Sequence, residues 1–144
     1  LVDLAHASRE TAMAAIEASE KPVMISHSAI RGEGFDSPRF IDLDHAKLVA
    51  EGGGIVGAWP AGIGLLNLSD FVDQILRAIE LIGADHVCLG TDMDANYKPV
   101  FDNYRQLPVL VGALLKRGLS RDEATQFLGG NFMRVFKEVS RNAS

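Results

Sequence analysis

This chain has almost no cysteine, one tryptophan and no long uninterrupted apolar run. The single cysteine, Cys88, has no partner for an intrachain disulfide and sits inside an apolar run, so it reads as a small buried hydrophobe. Every apolar run is broken by Gly, Pro, Asp or Lys before it reaches the ~20 residues that span a bilayer. Positive charge is the scarcer sign: 14 Lys and Arg face 19 Asp and Glu, a net charge of -5, and no basic block stands out. A nucleic-acid or anionic-membrane surface therefore has little electrostatic support, and a neutral or small zwitterionic substrate fits better. An initiating methionine is also lacking. Leu1 already lies in a strand-like pattern, which leads us to expect an absent upstream segment, and any targeting signal with it. Location is left open, with a lean to the cytoplasm.

What is plentiful is apolar. Of the 144 residues 47% are hydrophobic and 23% charged, the balance of one globular domain with its own core. Continuously apolar runs at 1–5, 23–25, 55–59 and 87–90 read as strands. Helical patterns lie between and after them. One opens at Ser8-Arg9-Glu10-Thr11, one spans 42–51 and stops at Gly52-Gly53-Gly54, and one is N-capped at Ser69-Asp70 and closed by Gly83. Another runs near 104–116. Ser120 and Glu123 have capping-box spacing for the next, and Asn131 is expected to cap the last. The alternation predicts an α/β fold with a parallel sheet, and the unbroken hydrophobicity predicts strands buried on both faces. Four such units fit half of a (β/α)8 barrel or a small open doubly wound sheet; periodicity does not separate the two.

Three strand ends carry chemistry: Val2-Asp3-Leu4-Ala5-His6, Val23-Met24-Ile25-Ser26-His27 and Val87-Cys88-Leu89-Gly90-Thr91-Asp92. Neighbouring parallel strands lie about 4.8 Å apart, so His6 and His27 can converge on one ion with Zn–N bonds near 2.1 Å. Asp92 can move a proton at the same rim; its plainer reading, and that of Asp94, is an N-cap. The loop over 28–38 is long for a strand-to-helix connection, and Arg31 and Arg39, in or just after it, are candidates for gripping a carboxylate. Ser8, Ser26 and Ser28 read as turn residues. His45, in a helix, and His86, on the opposite rim, read as surface or structural. Gly52-Gly53-Gly54 precedes its strand and lacks a lysine, so it is no phosphate loop. Residues 119–132 read as an ordinary helix pair and not a helix-turn-helix.

The segments VDLAHAS, KPVMISHSAIRG, ADHVCLGTDMDAN and LGGNFMRVFKEV resemble, in order and over nearly the whole chain, the renal or membrane dipeptidases, zinc peptidases among the amidohydrolase-like barrels. The resemblance implies that residues 1–144 are one partial domain, the C-terminal half of a (β/α)8 TIM-type barrel with about four parallel strands, equivalent to strands five to eight. It implies that His6 and His27 bind the second of two zincs, that Asp92 handles the proton in peptide-bond hydrolysis, and that Arg39, or else Arg31, holds the dipeptide's carboxylate. The partners it implies are a dipeptide substrate and the N-terminal half of the barrel; a homo-oligomer stays open.

Two departures bear on this. Asp92-Met93-Asp94-Ala95 stands where the family has Asp-Phe-Asp-Gly. The first-strand His-x-Asp pair, the bridging glutamate and a further substrate-binding histidine of the family correspond to positions upstream of Leu1, so this chain alone is expected to be a poor catalyst. The competing readings are a related barrel hydrolase acting on a lactone, cyclic amide or phosphoester, and a non-catalytic truncated half-barrel.

Overall fold

Three short parallel strands carry the chemistry-bearing loops: β1 (Met24–Ser28), β2 (Ile55–Ala58) and β3 (Val87–Leu89). In this computed structural model, which describes residues 1–32, 34–93 and 97–141, they form a sheet of order β1-β2-β3. Neighbours in sequence are neighbours in the sheet, with no reversal of strand order of the kind that marks a doubly wound fold. Helices α1 (Arg9–Ala18), α2 (Leu43–Glu51) and α3 (Leu68–Ile82) precede or link the strands, and α4 (Leu107–Lys116), α5 (Arg121–Thr125) and α6 (Asn131–Ser140) follow them.

Alternate strand residues serve two cores. Ile25, Val56 and Val87 join Val49, Phe71, Ile75, Leu110 and Phe127 in the main cluster. Met24, Ile55 and Cys88 pack with Val135 of α6 in a smaller one. Both faces are therefore apolar, which is why the strands read as continuous hydrophobic runs.

Four strands were expected, and among the described residues there are three. Residues 1–5 make only an isolated parallel bridge, Asp3 to Met24. Two ladder bonds form, Leu4 N–H to Met24 O at 2.8 Å and Met24 N–H to Val2 O at 2.9 Å. Next to them the Asp3 carboxylate takes over, accepting the Ala5 and Ser26 N–H groups at 3.0 and 2.9 Å. Those are donors that a longer ladder would use, so the pairing stops there.

Helix starts follow local rules. Ser8 caps α1, Asp42 caps α2, and Ser120 with Glu123 forms the anticipated capping box on α5. Two expectations are corrected. The cap of α3 is Asn67, whose Oδ1 accepts the Ser69 and Asp70 N–H groups at 2.8 and 3.2 Å, while Asp70 reaches back to the Leu66 N–H at 2.8 Å. Asn131 caps nothing: it already has helical backbone (φ −63°, ψ −43°), past a kink at Gly129 that separates α5 from α6. Its buried side chain donates instead to the Ala84 and Val87 carbonyls at 2.7 and 2.9 Å. Arg134 donates to Gly53 O and Asp85 O at 2.9 and 2.7 Å, and His86 Nδ1 meets Gly54 O at 2.9 Å. These three side chains clamp the rim opposite His27, which bears out the structural reading of His86.

Among the described residues no helix is long and apolar enough to cross a membrane. Burial pushes the Cys88 thiol from 9.0 up to about 12. The thiolate is disfavoured only in the folded state, so its contribution to stability is intact below pH 9 and lost as pH rises toward 12. Between those limits the wild type is expected to lose about 1.4 kcal/mol per pH unit more than Cys88→Ala. Urea midpoints at pH 8 and pH 10.5 measure the difference.

Candidate metal centre

His27 reaches the rim because β1 is irregular. In the β1–β2 register Ile25 faces Val56 and Ser28 faces Ala58, three steps on one strand against two on the other. Strict alternation would put His27 on the face of Ile25, in the main core; the extra residue re-aims it. The cost is a Ser26 carbonyl turned over the sheet, and the neighbours are glycines for that reason. A Cβ on Gly57 or on Gly90 would lie 2.0 Å from that oxygen.

His6 and Asp92 are held by unusual backbone. With φ of 63° and 46° they are two of the three non-glycine residues with positive φ among the described residues. Strained conformations of this kind persist where the surroundings over-determine them, and they gather at functional sites.

The three side chains predicted to converge do so. His6 Nε2 lies 3.0 Å from His27 Nε2, and Asp92 Oδ2 lies 3.7 Å from the same His27 nitrogen. The two imidazole planes meet at 66°. Ser26 Oγ sits 3.0 Å from His27 Nδ1, closer to the chemistry than a turn residue need be. With Nδ1–H donating to that oxygen, Nε2 turns its lone pair toward His6. Burial holds His27 below the ordinary imidazole range; Asp92 and Asp3 pull it up, and His6 and Arg39 push it further down. A neutral imidazole is the ligand form.

The donor set fits a cation. Two ring nitrogens on one tetrahedral zinc at about 2.1 Å lie about 3.4 Å apart, and here they are 3.0 Å apart before any ion is placed. Two facing lone pairs at that distance repel unless a proton or metal lies between them. Among the described residues no group of three or more His, Cys, Asp or Glu side chains is close enough to hold an ion unaided. The imidazoles are thus a pair of ligands with a nearby carboxylate, short of a complete cage. Asp94, Ala95 and Asn96 lie outside the described residues.

The two arginine candidates separate. Arg31 is committed to the loop: its Nε donates to Ser37 O and Phe40 O at 3.1 and 3.0 Å. Arg77 of α3 in turn donates to Ile30 O and Arg31 O at 2.8 and 2.9 Å, tying that loop to the barrel side of the helix layer. Arg39 makes no such side-chain bond among the described residues, and its guanidinium lies 5.3 Å over the Trp59 ring. Trp59 also meets the His27 ring edge-on at 5.4 Å. No role was expected of Trp59, although the lone tryptophan at the end of the third strand lies on the same rim as His27 and Asp92. On the sheet face beneath them a cleft of about 490 Å³ is lined by Met24, Ile55, Cys88, Phe127 and Phe132, with His27 and Asp92 at its edge.

The model of the membrane dipeptidases, peptidase family M19, matches residues 1–144. The chain belongs to this family. It is 34% identical over 149 residues to dipeptidase ataJ of Aspergillus terreus, covering 96% of this chain and 36% of that protein. Against dipeptidase 3 of Rattus norvegicus it is 31% identical over 149 residues, covering 98% of this chain and 30% of that protein. It thus spans about a third of the length of these curated relatives. A metallopeptidase from Rhodobacter sphaeroides, solved with a phosphinate mimic of the dipeptide L-Ala-D-Ala, superposes with a TM-score of 0.87 at 20% identity, covering 96% of this chain and 42% of that one. At that identity the likeness carries the fold alone, an α/β fold with a parallel sheet.

Proposed function

We propose that these 144 residues act as the C-terminal half of the catalytic barrel of a zinc-dependent dipeptidase. The observation that supports this most is the meeting of His6, His27 and Asp92 at one strand rim in a chain of the membrane dipeptidase family. The dipeptidases of Aspergillus terreus and Rattus norvegicus, 34% and 31% identical to this chain, support the same substrate class.

In this reading His6 and His27 hold one zinc through Nε2. A zinc held there would supply Lewis acidity toward a carbonyl and an activated water near neutral pH. Asp92 takes the proton of the attacking water as its oxygen bonds to the carbonyl carbon. It returns that proton to the amide nitrogen as the C–N bond breaks, so one carboxylate serves first as base and then as acid. Arg39 binds the substrate's terminal carboxylate through a paired fork, oriented by the flat Trp59 ring beneath it. Ser26 fixes the His27 tautomer, and Arg77 with Arg31 fixes the loop that delivers Arg39.

The test is a dipeptide panel assayed by release of free amine, using the protein that carries these residues. Hydrolysis is expected to stop on treatment with a chelator and to return with zinc. Chelator-resistant turnover, or hydrolysis of lactones and phosphoesters in preference to dipeptides, overturns the reading.

A further inference from the structure

A cavity of about 390 Å³ opens beside the His6 imidazole, between the first turns of α1 and α2 and the loop that follows β1. Its walls carry three guanidinium groups, those of Arg9, Arg31 and Arg39, against the one carboxylate of Asp42. One arginine fork matches one carboxylate. With Arg39 assigned to the substrate's terminus, two cations remain.

Neither of the two is used up by the protein. Arg9 meets Asp42 at 3.6 Å, with side chains 51% and 39% exposed, a screened pair of little worth that a ligand can displace. Arg31 spends only its Nε on carbonyl oxygens, and its terminal nitrogens have no partner among the described residues. The third feature is His45, in the first turn of α2. It is 4% exposed and lines the cavity, yet its Nε2 has no hydrogen-bond partner. The cavity also lies at the positive ends of α1 and α2, which favour an anion.

We propose that this cavity takes a second carboxylate, so that the preferred substrates are dipeptides whose C-terminal residue is aspartate or glutamate. The substrate class rests on the dipeptidase reading above; the preference for a second negative charge rests on the cavity alone. Arg39 holds the terminal carboxylate beside His27, and Arg9 and Arg31 face the side-chain carboxylate.

The experiment compares Ala-Asp with its near-isostere Ala-Asn in the metal-loaded protein that carries these residues. The kcat/KM ratio is expected to favour Ala-Asp by about 10–100-fold, the worth of one charge-assisted hydrogen bond. Arg9→Gln should lower that ratio at least about tenfold, and Arg9→Lys should keep part of it. Titration calorimetry with free aspartate and free asparagine needs no turnover and should give the same order and the same response to Arg9→Gln. Equal binding of the two amino acids, or a ratio near one while Ala-Ala is hydrolysed, overturns the inference. A preference for aspartate without hydrolysis of any dipeptide supports the charged cavity and overturns the dipeptidase reading instead.

Discussion

Asp92→Asn is expected to lower kcat on a dipeptide by about 10²–10⁴-fold, with KM changed little. The substitution keeps the shape of the side chain, and asparagine tolerates the left-handed backbone that Asp92 adopts at φ 46°, so the rim should fold as before. What is lost is the proton acceptor 3.7 Å from His27 Nε2. A carboxamide can neither take the proton of the attacking water nor return it to the leaving nitrogen. Steady-state kinetics on the protein that carries these residues, with zinc content measured in parallel, separates this from loss of the ion. Retained zinc with a collapsed kcat is the expected pair of results. A kcat within threefold of wild type removes Asp92 from the chemistry.

The second large effect is on the scaffold. Gly57→Ala is expected to destabilise the chain by about 3 kcal/mol or more, the range of overpacking against groups that cannot move aside. The added carbon would sit 2.0 Å from the Ser26 carbonyl oxygen and 3.0 Å from Gly90 Cα, both of them backbone. Relief requires β1 to lose its irregularity, and that irregularity is what aims His27 at the rim. Stability and the metal pair should therefore fail together, seen as a lower urea midpoint and weaker zinc binding at temperatures where the variant is still folded. Gly112→Ala is the control: it lies within α4 with nothing near its added carbon. It should gain about 0.5–1 kcal/mol from helix propensity. A Gly57→Ala variant as stable as wild type contradicts the account of β1.

The contrast between Gly57 and Gly112 also marks how far a sequence can be read. Both are single glycines in apolar surroundings, one in a strand run and one in a helical pattern, and nothing local says that only the first has a carbonyl oxygen 2.0 Å from its added carbon. Trp59 is a similar case: its position at a strand end is visible, but its edge-on contact with His27 and its place under Arg39 depend on where the loop after β1 folds back. The choice between Arg31 and Arg39 could not be made from spacing either. It turns on which arginine is anchored through its Nε to the loop carbonyls of Ser37 and Phe40, in a loop that Arg77, 46 positions beyond Arg31, ties down. His45 read as surface or structural, and it is buried; that its Nε2 is left without a partner emerges only from three-dimensional packing.

Local rules by themselves determined the α/β class, the parallel arrangement, most helix starts and the identity of the residues at the strand ends. Period, capping chemistry and unbroken apolar runs act over a few residues and leave their signature in the chain. Tertiary structure alone decided that residues 1–5 give a bridge and no strand, because the Asp3 carboxylate intercepts an N–H from β1. It decided that Asn131 braces the far rim and caps no helix, because its side-chain amide is spent on the Ala84 and Val87 carbonyls. It also set His6, His27 and Asp92 within hydrogen-bonding or ion-pair reach, since an extra residue in one strand and positive φ at two others are settled by neighbours distant in sequence.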